Sequence, residues 1–235
     1  MTNKYAQMQK SISEQLEWAR VSAELEAENL KLASYDHTLL DLLGDVSGRR
    51  FLDYGCGPGV LASALQRRVA DISAYDISDQ MRGLCGEKIG HQRVYPNIDA
   101  IPREYFDAVI CNLVLCIVEE EEVRRITHTI RGILKHDGQA YIGFCNPSIF
   151  NVPESRLDLR EKTGHRYEEN HRYWKTKKEG GYRILEEHRS IGWYELVFAQ
   201  ATFEVVKKQF TPEYELKGKK IEDFIIFELK RRKEI

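Results

Sequence analysis

The sequence of 235 residues has no excess of charge of either sign, because 35 Lys and Arg residues stand against 37 Asp and Glu residues, for a formal net charge of −2. A general nucleic-acid-binding protein usually carries a basic excess, so this balance argues against one. No stretch approaches the roughly 18 consecutive apolar residues of a membrane-spanning helix, so we expect no membrane span. Residues 1–7 contain no apolar signal-peptide core, so no signal peptide is expected either.

Cysteine is scarce, and no two cysteines have the C-x-x-C spacing of a zinc or redox site. The five are Cys56, Cys85, Cys111, Cys116 and Cys145. An odd number argues against a disulfide framework, so we expect a cytoplasmic protein without a metal site.

Strand and helix patterns alternate over about 100 residues, which is typical of a parallel sheet with right-handed crossovers. We predict a single domain over residues 1–235, with a helical cover at 1–45 that contains a second helix between Ser34 (its N-cap) and Gly44 (its end). Strands are predicted at 50–54, 72–76, 92–95, 106–111 and 138–145, with helices at 60–69, 78–88 and 119–134. The polar and aromatic segment 146–190 interrupts this alternation and is interpreted as an inserted cap. A strand at 182–187, a helix at 192–201 and closing strands at 203–210 and 224–229 complete the prediction.

The most informative stretch runs from Phe51 to Leu61, F-L-D-Y-G-C-G-P-G-V-L. A strand enters a glycine-rich turn and then a helix, whose first N–H groups are available to a ligand. The dinucleotide fingerprint needs a third glycine where this chain has Val60. The carboxylate of Asp53 would also face the pyrophosphate of NAD unfavourably, whereas it suits a cationic ligand such as a sulfonium. An NAD-dependent oxidoreductase is therefore disfavoured.

This stretch resembles motif I of the class I S-adenosylmethionine-dependent methyltransferases, V-L-D-x-G-C-G-x-G, with Phe51 in place of Val. The resemblance extends over residues 34–145, and more loosely over 182–229, where it is closest to the UbiE-like small-molecule branch. It implies an α/β, Rossmann-like, doubly wound seven-stranded sheet that is mostly parallel with an antiparallel last strand. It also implies S-adenosylmethionine as the cofactor.

The resemblance further implies which residues contact the cofactor. Asp76 would accept from the ribose hydroxyls and Asp99 from the adenine amino group, while Asn112 would lie beside the methionine part. Asp76 as a helix cap and Asp99 as an ordinary turn residue remain open alternatives. The full predicted set is Asp53, Gly55, Cys56, Gly57, Gly59, Asp76, Ile77, Met81, Asp99, Ala100, Asn112 and Leu113.

The acceptor is less constrained, because methyl transfer needs a general base only where the acceptor must lose a proton. Nucleic-acid amino-methyltransferases have an N/D-P-P-Y/F motif after the fourth strand, where this chain has Asn112 followed by Leu-Val-Leu. Asn146-Pro147 is interpreted as a turn. We therefore predict a small-molecule acceptor, methylated at N, O or C. A nucleic-acid methyltransferase and a non-catalytic binding protein remain alternatives, and the oligomeric state is open, with a homodimer as one option.

Aromatic and basic side chains of the cap are the candidates for the acceptor site. His188, at a predicted helix start over residues 187–189, is the first candidate base, and His171 and then His165 are weaker ones. Their alternative is a structural imidazole bonded to a backbone carbonyl. The Arg and His content of the cap is expected to favour a polar or anionic acceptor. Predicted acceptor contacts, with ordinary packing as their alternative, are Tyr5, Trp18, Tyr35, Tyr167, Tyr173, Trp174 and Arg189.

Overall fold

The computed structural model describes residues 32–232, with side chains from Ser34 onward. The predicted contacts Tyr5 and Trp18, and most of the predicted helical cover, lie outside the described residues.

Helices and strands alternate along the first half of the described chain. The α-helices are α1 (His37–Leu43), α2 (Val60–Arg67), α3 (Asp79–Ile89), α4 (Glu120–Ile133) and α5 (Ile191–Gln200). Single helical turns lie at Leu32–Asp36, His91–Arg93, Ile98–Ala100 and Pro147–Ile149. The strands are β1 (Arg50–Tyr54), β2 (Asp71–Tyr75), β3 (Phe106–Asn112), β4 (Leu134–Cys145), β5 (Asp158–Arg160), β6 (His171–Lys177), β7 (Arg183–His188), β8 (Phe203–Phe210), β9 (Tyr214–Leu216), β10 (Lys219–Ile221) and β11 (Phe224–Arg231).

The central sheet has the order β2-β1-β3-β4-β11-β8. Strands β1 to β4 run parallel, and β11 is antiparallel to both of its neighbours. The α/β fold class, with a mostly parallel sheet and an antiparallel last strand, is therefore confirmed. The described sheet has six strands rather than seven. Where a strand at 92–95 was predicted, a helical turn takes up His91–Arg93 and only Val94 makes a bridge, to Ala74 of β2.

Apolar side chains cover both faces of this sheet, because successive residues of a strand point to opposite sides. Phe51 packs in one core and its neighbour Leu52 in the other. Ile130 of α4 joins the second core and Leu65 of α2 the first, so helices cover both faces, as in doubly wound folds. The chain order reverses between β1 and β3, which opens a crevice at the carboxyl ends of these strands.

The inserted cap contains a separate antiparallel sheet of order β5-β6-β7. The prediction that residues 187–189 begin a helix is wrong, because His188 ends β7 and pairs with His171 of β6. Helix α5 begins at Ile191, after Ser190, whose hydroxyl accepts from the Trp193 N–H at 3.2 Å. At the other end of the described chain, Gly44 ends α1 with φ 62°, as predicted. Ser34 is no N-cap, since it lies inside the turn before α1.

Candidate functional site

The glycine loop starts where β1 ends and is hydrogen-bonded to the end of β2. Gly55, Gly57 and Gly59 have φ of 77°, 51° and 81°, in the left-handed region that glycine adopts without strain. The N–H groups of Gly55 and Cys56 both donate to the carbonyl of Tyr75, at 2.7 and 3.0 Å. Gly59 directly precedes α2, so the N-terminus of this helix lies at the crevice.

Two of the three glycines are needed for packing, and one is not. A Cβ on Gly55 would collide with the Cγ2 of Val114, and a Cβ on Gly59 would lie 2.9 Å from the backbone Cα of Cys85. A Cβ on Gly57 would meet nothing within 4 Å. The main chain at Gly57 is therefore open to close approach by a ligand.

Asp76 follows β2, and its carboxylate holds the glycine loop. Its Oδ2 accepts from the N–H of Gly57 and its Oδ1 from the N–H of Ser78, both at 2.9 Å. Burial raises the pKa of the Asp76 carboxyl, although these N–H groups act against the rise. Helix α3 is capped by Ser78, whose Oγ accepts from the Met81 N–H at 3.4 Å, so capping is not the role of Asp76. Each carboxylate oxygen has lone-pair capacity for a second donor, such as a ligand hydroxyl.

Asp53 lies within β1 directly below the glycine loop, and its side chain is buried. Burial, and to a lesser degree the nearby Asp53 carboxylate, raises the pKa of the Cys111 thiol. This thiol therefore stays protonated at neutral pH, and Asp53 contributes negative charge beneath the crevice.

Four other predicted cofactor residues lie in the chain between the end of β2 and the start of β3. Ile77 is exposed beside Asp76, and Met81 is buried in the first turn of α3. Asp99 and Ala100 are exposed on the turn Ile98–Ala100. That turn is capped by Asn97, whose Oδ1 accepts from the Ala100 N–H at 3.0 Å.

At the end of β3, Tyr35 meets the predicted methionine-side residues. Its hydroxyl donates to the Oδ1 of Asn112 at 2.5 Å, and a Cβ on Gly143 would collide with that hydroxyl. Leu113 follows with φ 56°, unusual for a branched side chain, and its N–H donates to the Gly143 carbonyl at 2.8 Å. A predicted acceptor contact, Tyr35, is thus brought beside two predicted cofactor contacts.

The predicted acceptor residues of the cap do not share one environment. The hydroxyl of Tyr167 accepts from the Ile191 N–H at 2.9 Å, and that of Tyr173 donates to the Oε2 of Glu186 at 2.6 Å. Trp174 is half-buried on the other face of β6, under the guanidinium of Arg183 at 4.6 Å. Tyr173 and Trp174 therefore point away from each other, as neighbours on a strand must.

Both candidate histidines are bonded to backbone carbonyls. His188 bonds through Nε2 to the carbonyl of Tyr167 at 2.8 Å, and His171 through Nδ1 to the carbonyl of Glu169 at 2.7 Å. Because a carbonyl only accepts, these nitrogens carry the protons, which leaves Nδ1 of His188 and Nε2 of His171 as acceptors. The latter lies 3.2 Å from the hydroxyl of Thr163. Burial lowers the pKa of His188, so its imidazole is neutral at pH 7.

Four rings form a column along the inner face of the cap. Phe150 stacks on His188 at 4.4 Å, His188 lies 4.8 Å from His171, and His171 stacks on His165 at 4.4 Å, between ring centroids. His165 is the exposed end of this column. The column thus brings two imidazoles that each retain an acceptor nitrogen, those of His188 and His171, into one aromatic wall.

A buried group of charges, not predicted from the sequence, lies beside this column. The ammonium of Lys175 contacts the carboxylate of Glu186 and lies 3.6 Å from that of Asp158, and none of these side chains is more than 4% exposed. Its Nζ also lies 3.0 Å from the Sγ of Cys145, the last residue of β4. The signal was present in the sequence, because His171, Tyr173, Lys175 and Lys177 alternate with period two and so share one strand face.

This charge group cannot serve as a general base at neutral pH. Burial alone would raise the pKa of Glu186, but Lys175 and the Tyr173 hydroxyl outweigh it and lower that pKa. Burial alone would likewise lower the pKa of Lys175, but the carboxylate of Asp158 and its neighbours raise it well above the usual range. The carboxylate is thus a weak base and the ammonium stays protonated.

Within residues 32–232, no three His, Cys, Asp or Glu side chains are arranged to hold a metal ion. No helix in that range is long and apolar enough to cross a membrane.

The residues at the crevice fit the predicted cofactor, S-adenosylmethionine. A ribose offers two hydroxyl donors, which match the two oxygens of Asp76. A sulfonium is cationic, which matches the buried charge of Asp53. The open main chain at Gly57 admits close approach of a ligand.

Comparison with known proteins agrees with this geometry. Residues 52–142 match the family model described as a methyltransferase domain, which runs from β1 through the glycine loop into β4. A ribosomal protein L11 methyltransferase of Vibrio cholerae is 27% identical over 117 residues, which are 48% of this chain and 40% of that relative. An uncharacterized methyltransferase of Mycobacterium tuberculosis is 29% identical over 123 residues, 50% of this chain and 61% of that one. The chain thus spans less than two thirds of the length of these curated relatives, 40% of the first and 61% of the second.

Solved structures share the fold over most of the chain. A structure from Listeria monocytogenes, described as an S-adenosylmethionine-dependent methyltransferase, has a TM-score of 0.63 at 17% identity and covers 84% of this chain and 97% of its own. The 1,6-didemethyltoxoflavin-N1-methyltransferase of Burkholderia thailandensis has a TM-score of 0.62 at 14% identity and covers 98% and 90%. That structure holds its acceptor and S-adenosylhomocysteine. Residues 52–142 therefore match a methyltransferase domain, and the predicted Rossmann-like fold is confirmed.

Proposed function

We propose that this chain, whose residues 52–142 form a methyltransferase domain of the class I, S-adenosylmethionine-dependent type, transfers a methyl group to a small molecule held beneath the cap. The observation that carries the proposal is the bond from the Gly57 N–H to Asp76. This bond joins Asp76, which follows β2, to Gly57, where the main chain of the glycine loop is open to a ligand, and so forms one wall of a ligand crevice.

Each residue of the crevice has a defined part in this proposal. Bound S-adenosylmethionine supplies an electrophilic methyl group on a sulfonium. Asp76 accepts from the ribose hydroxyls and Asp53 provides compensating negative charge, while Asp99 accepts from the adenine amino group. Asn112 and Leu113 lie beside the methionine part.

The acceptor binds along the ring column of the cap, and His188 is the base where a hydroxyl or an amine must lose its proton. Its Nε2 is bonded to the Tyr167 carbonyl, which leaves Nδ1 as the acceptor nitrogen, and its lowered pKa keeps the imidazole neutral at pH 7. The buried cations Arg160, Lys175 and Lys177 all face the carboxylate of Asp158, and two further carboxylates balance them, Asp223 beside Arg160 and Glu186 beside Lys175. Because these charges are compensated, we propose an uncharged polar acceptor, one of the two kinds, polar or anionic, that cap composition favours.

Two lines of comparison support a small acceptor without deciding it. The structural neighbours include the toxoflavin-precursor enzyme, which covers 98% of this chain, and a glycopeptide N-methyltransferase with sinefungin, which covers 84%. The ribosomal protein L11 methyltransferases match over less than half of their own length, which lends little support to a protein acceptor.

Calorimetry with S-adenosylhomocysteine tests the cofactor site. We expect the wild type to bind with a Kd in the micromolar range, and Asp76→Ala to bind at least tenfold more weakly, a loss of about 1.4 kcal/mol. The control is Asp79→Ala, an exposed acid three residues further on that pairs with Arg82, and it should bind like the wild type. The cofactor proposal is wrong if the wild type does not bind, or if Asp76→Ala binds equally well.

A second experiment tests the acceptor class. The protein is incubated with methyl-labelled S-adenosylmethionine and, separately, with a metabolite extract, total RNA and ribosomal protein. Label in the metabolite fraction alone supports a small acceptor, whereas label in RNA or protein overturns that part of the proposal. Binding of S-adenosylhomocysteine without transfer to any fraction would favour a non-catalytic binding protein.

A further inference from the structure

The segment between β3 and α4, residues 113–118, forms part of the proposed cofactor crevice but belongs to no helix or strand. It begins with Leu113 in the left-handed region, and Val114 packs where a side chain on Gly55 would lie. A segment with few backbone bonds of its own depends on outside groups to hold one conformation.

Arg189 supplies such a group from beyond the end of β7. Its Nη1 donates to the carbonyl of Leu115 at 3.1 Å and its Nη2 to the carbonyl of Val118 at 2.7 Å. The side chain is 2% exposed, and its guanidinium lies 5.0 Å from the ring centroid of Trp193. A planar, rigid fork of donors is suited to bridging two fixed acceptors in this way.

The cap backbone reaches the same segment. The N–H of Glu187 donates to the carbonyl of Cys116 at 2.8 Å, and the hydroxyl of Tyr194 lies 3.4 Å from the carbonyl of Leu115. The end of the cap and the start of α5 therefore hold this segment from one side, while the glycine loop lies on the other.

We propose that Arg189 is a positioning residue for methyl transfer, which sets cofactor affinity by fixing residues 113–118 against the glycine loop. Sequence analysis placed Arg189 in the acceptor site, but both of its Nη groups are committed to backbone carbonyls. The predicted effect of Arg189 on cofactor affinity rests on the proposed function. The predicted effect of Arg189 on the conformation of residues 113–118 does not.

Two variants and a control separate positioning from simple stability. Arg189→Met keeps the apolar stem but leaves the two carbonyls without these donors, and Arg189→Lys keeps the charge without the fork. The control is Arg183→Met, because Arg183 also stacks on a tryptophan and pairs with an acid, Glu161, but contacts nothing in residues 113–118.

The measurements are S-adenosylhomocysteine affinity, thermal unfolding, and hydrogen exchange of residues 113–118 in the unliganded protein. We expect Arg189→Met to weaken binding at least tenfold and to speed exchange in this segment, Arg189→Lys to lie between it and the wild type, and Arg183→Met to match the wild type. A merely structural role would lower the Tm but leave the Kd of the folded protein and the exchange pattern unchanged, and that result overturns the proposal.

If Arg189→Met does not fold, Arg189→Lys is tested by S-adenosylhomocysteine affinity and hydrogen exchange. Weaker binding with faster exchange of residues 113–118 supports the proposal, and unchanged affinity and exchange overturn it. If the wild type itself does not bind S-adenosylhomocysteine, the proposed function fails and the affinity part of this inference falls with it. Exchange in the unliganded variants then still shows whether Arg189 positions the segment.

Discussion

The hydroxyl of Tyr35 donates to the Oδ1 of Asn112 at 2.5 Å and so joins the turn before α1 to the carboxyl end of β3. The Tyr35 ring is completely buried, packs edge-on against Phe224 at 4.9 Å, and places its hydroxyl where a side chain on Gly143 would lie. Residues 77 positions apart are thereby fixed at the rim of the proposed cofactor crevice.

We predict that Tyr35→Phe weakens both folding and cofactor binding. The change leaves the Oδ1 of Asn112 without its donor in a largely buried site, which should lower the free energy of unfolding by about 1–3 kcal/mol. Affinity for S-adenosylhomocysteine should fall several-fold, because Asn112 loses its fixed orientation. Urea unfolding and calorimetry provide the two values. Tyr105→Phe, at an exposed position, is the control and should change neither, and a Tyr35→Phe protein as stable as the wild type contradicts the prediction.

Alanine should have different effects at two glycines of the loop. Gly59→Ala places a Cβ against the backbone of Cys85, so it should destabilise the fold by about 1–3 kcal/mol through overpacking, in addition to left-handed strain. Gly57→Ala carries only the strain, about 1–2 kcal/mol, because its Cβ meets no protein atom. The added methyl group of Gly57→Ala instead enters the proposed ligand space and should reduce S-adenosylhomocysteine affinity at least tenfold. Equal stability of the two variants, or wild-type affinity of Gly57→Ala, would contradict this assignment.

The sheet could be predicted from sequence because its signals are local. The apolar runs of β1 and β3 and the glycine loop between Tyr54 and Val60 specify strands, a turn and a helix start within a few residues. The predicted strand at 50–54 coincides with β1, and that at 203–210 with β8. In place of the strand predicted at 92–95 the structure has a single bridge to β2, because a helical turn after Gly90 contains residues that would have paired with that strand.

The cap could not be predicted in the same way, because its contacts join residues far apart in the chain. A lysine such as Lys175 indicates a solvated face unless its partners, Glu186 and Asp158, are known to lie opposite. His188 resembled the start of the next helix because Ser190, the true N-cap, lies only two residues further on. The bond from Arg189 to Leu115 spans 74 positions and has no local signature.

Acid should destabilise the cap through Asp158. Burial alone would raise the pKa of this carboxyl, but Lys175, Lys177 and Arg160 outweigh burial and lower the pKa to about 2. Since the pKa is lower in the folded state, the stabilisation is present above the ordinary value near 4 and is lost as pH falls from about 4 to about 2. Tm measured from pH 6 to pH 2.5 should therefore fall more steeply for the wild type than for Asp158→Asn, which is less stable at pH 6.

A matched variant on the surface separates this effect from general acid unfolding. Glu154→Gln also removes a carboxyl whose pKa is lowered to about 2, by Lys178 and Lys217, but at a solvent-screened site. Its pH profile should follow that of the wild type. If Asp158→Asn shows the same slope as the wild type, the buried charge group does not control the acid stability of the cap.

The pH dependence of methyl transfer should report His188. Burial and the neighbouring His171 lower the pKa of His188 below its usual value of 6.5, despite the opposing bond to the Tyr167 carbonyl. An imidazole that must be neutral to accept a proton is active above its folded pKa. Thus the acid limb of kcat/KM should have its midpoint below pH 6.5, the pH at which an unperturbed histidine would already have lost half its activity. His188→Gln should lose at least tenfold in kcat/KM and also lose this acid limb.

Stability provides an independent check on the same imidazole. The pKa of His188 is lower in the folded than in the unfolded protein, so the unfolded chain takes up a proton at a higher pH than the folded chain does. The stability that neutral His188 contributes is therefore lost as pH falls below about 6.5. His136→Gln, at an exposed position of β4 outside the cap, is the matched control and should leave both profiles unchanged. A His188→Gln enzyme that is less stable but keeps the wild-type pH profile would assign this histidine to holding the Tyr167 carbonyl, and the base would then have to be sought in the acceptor or in solvent.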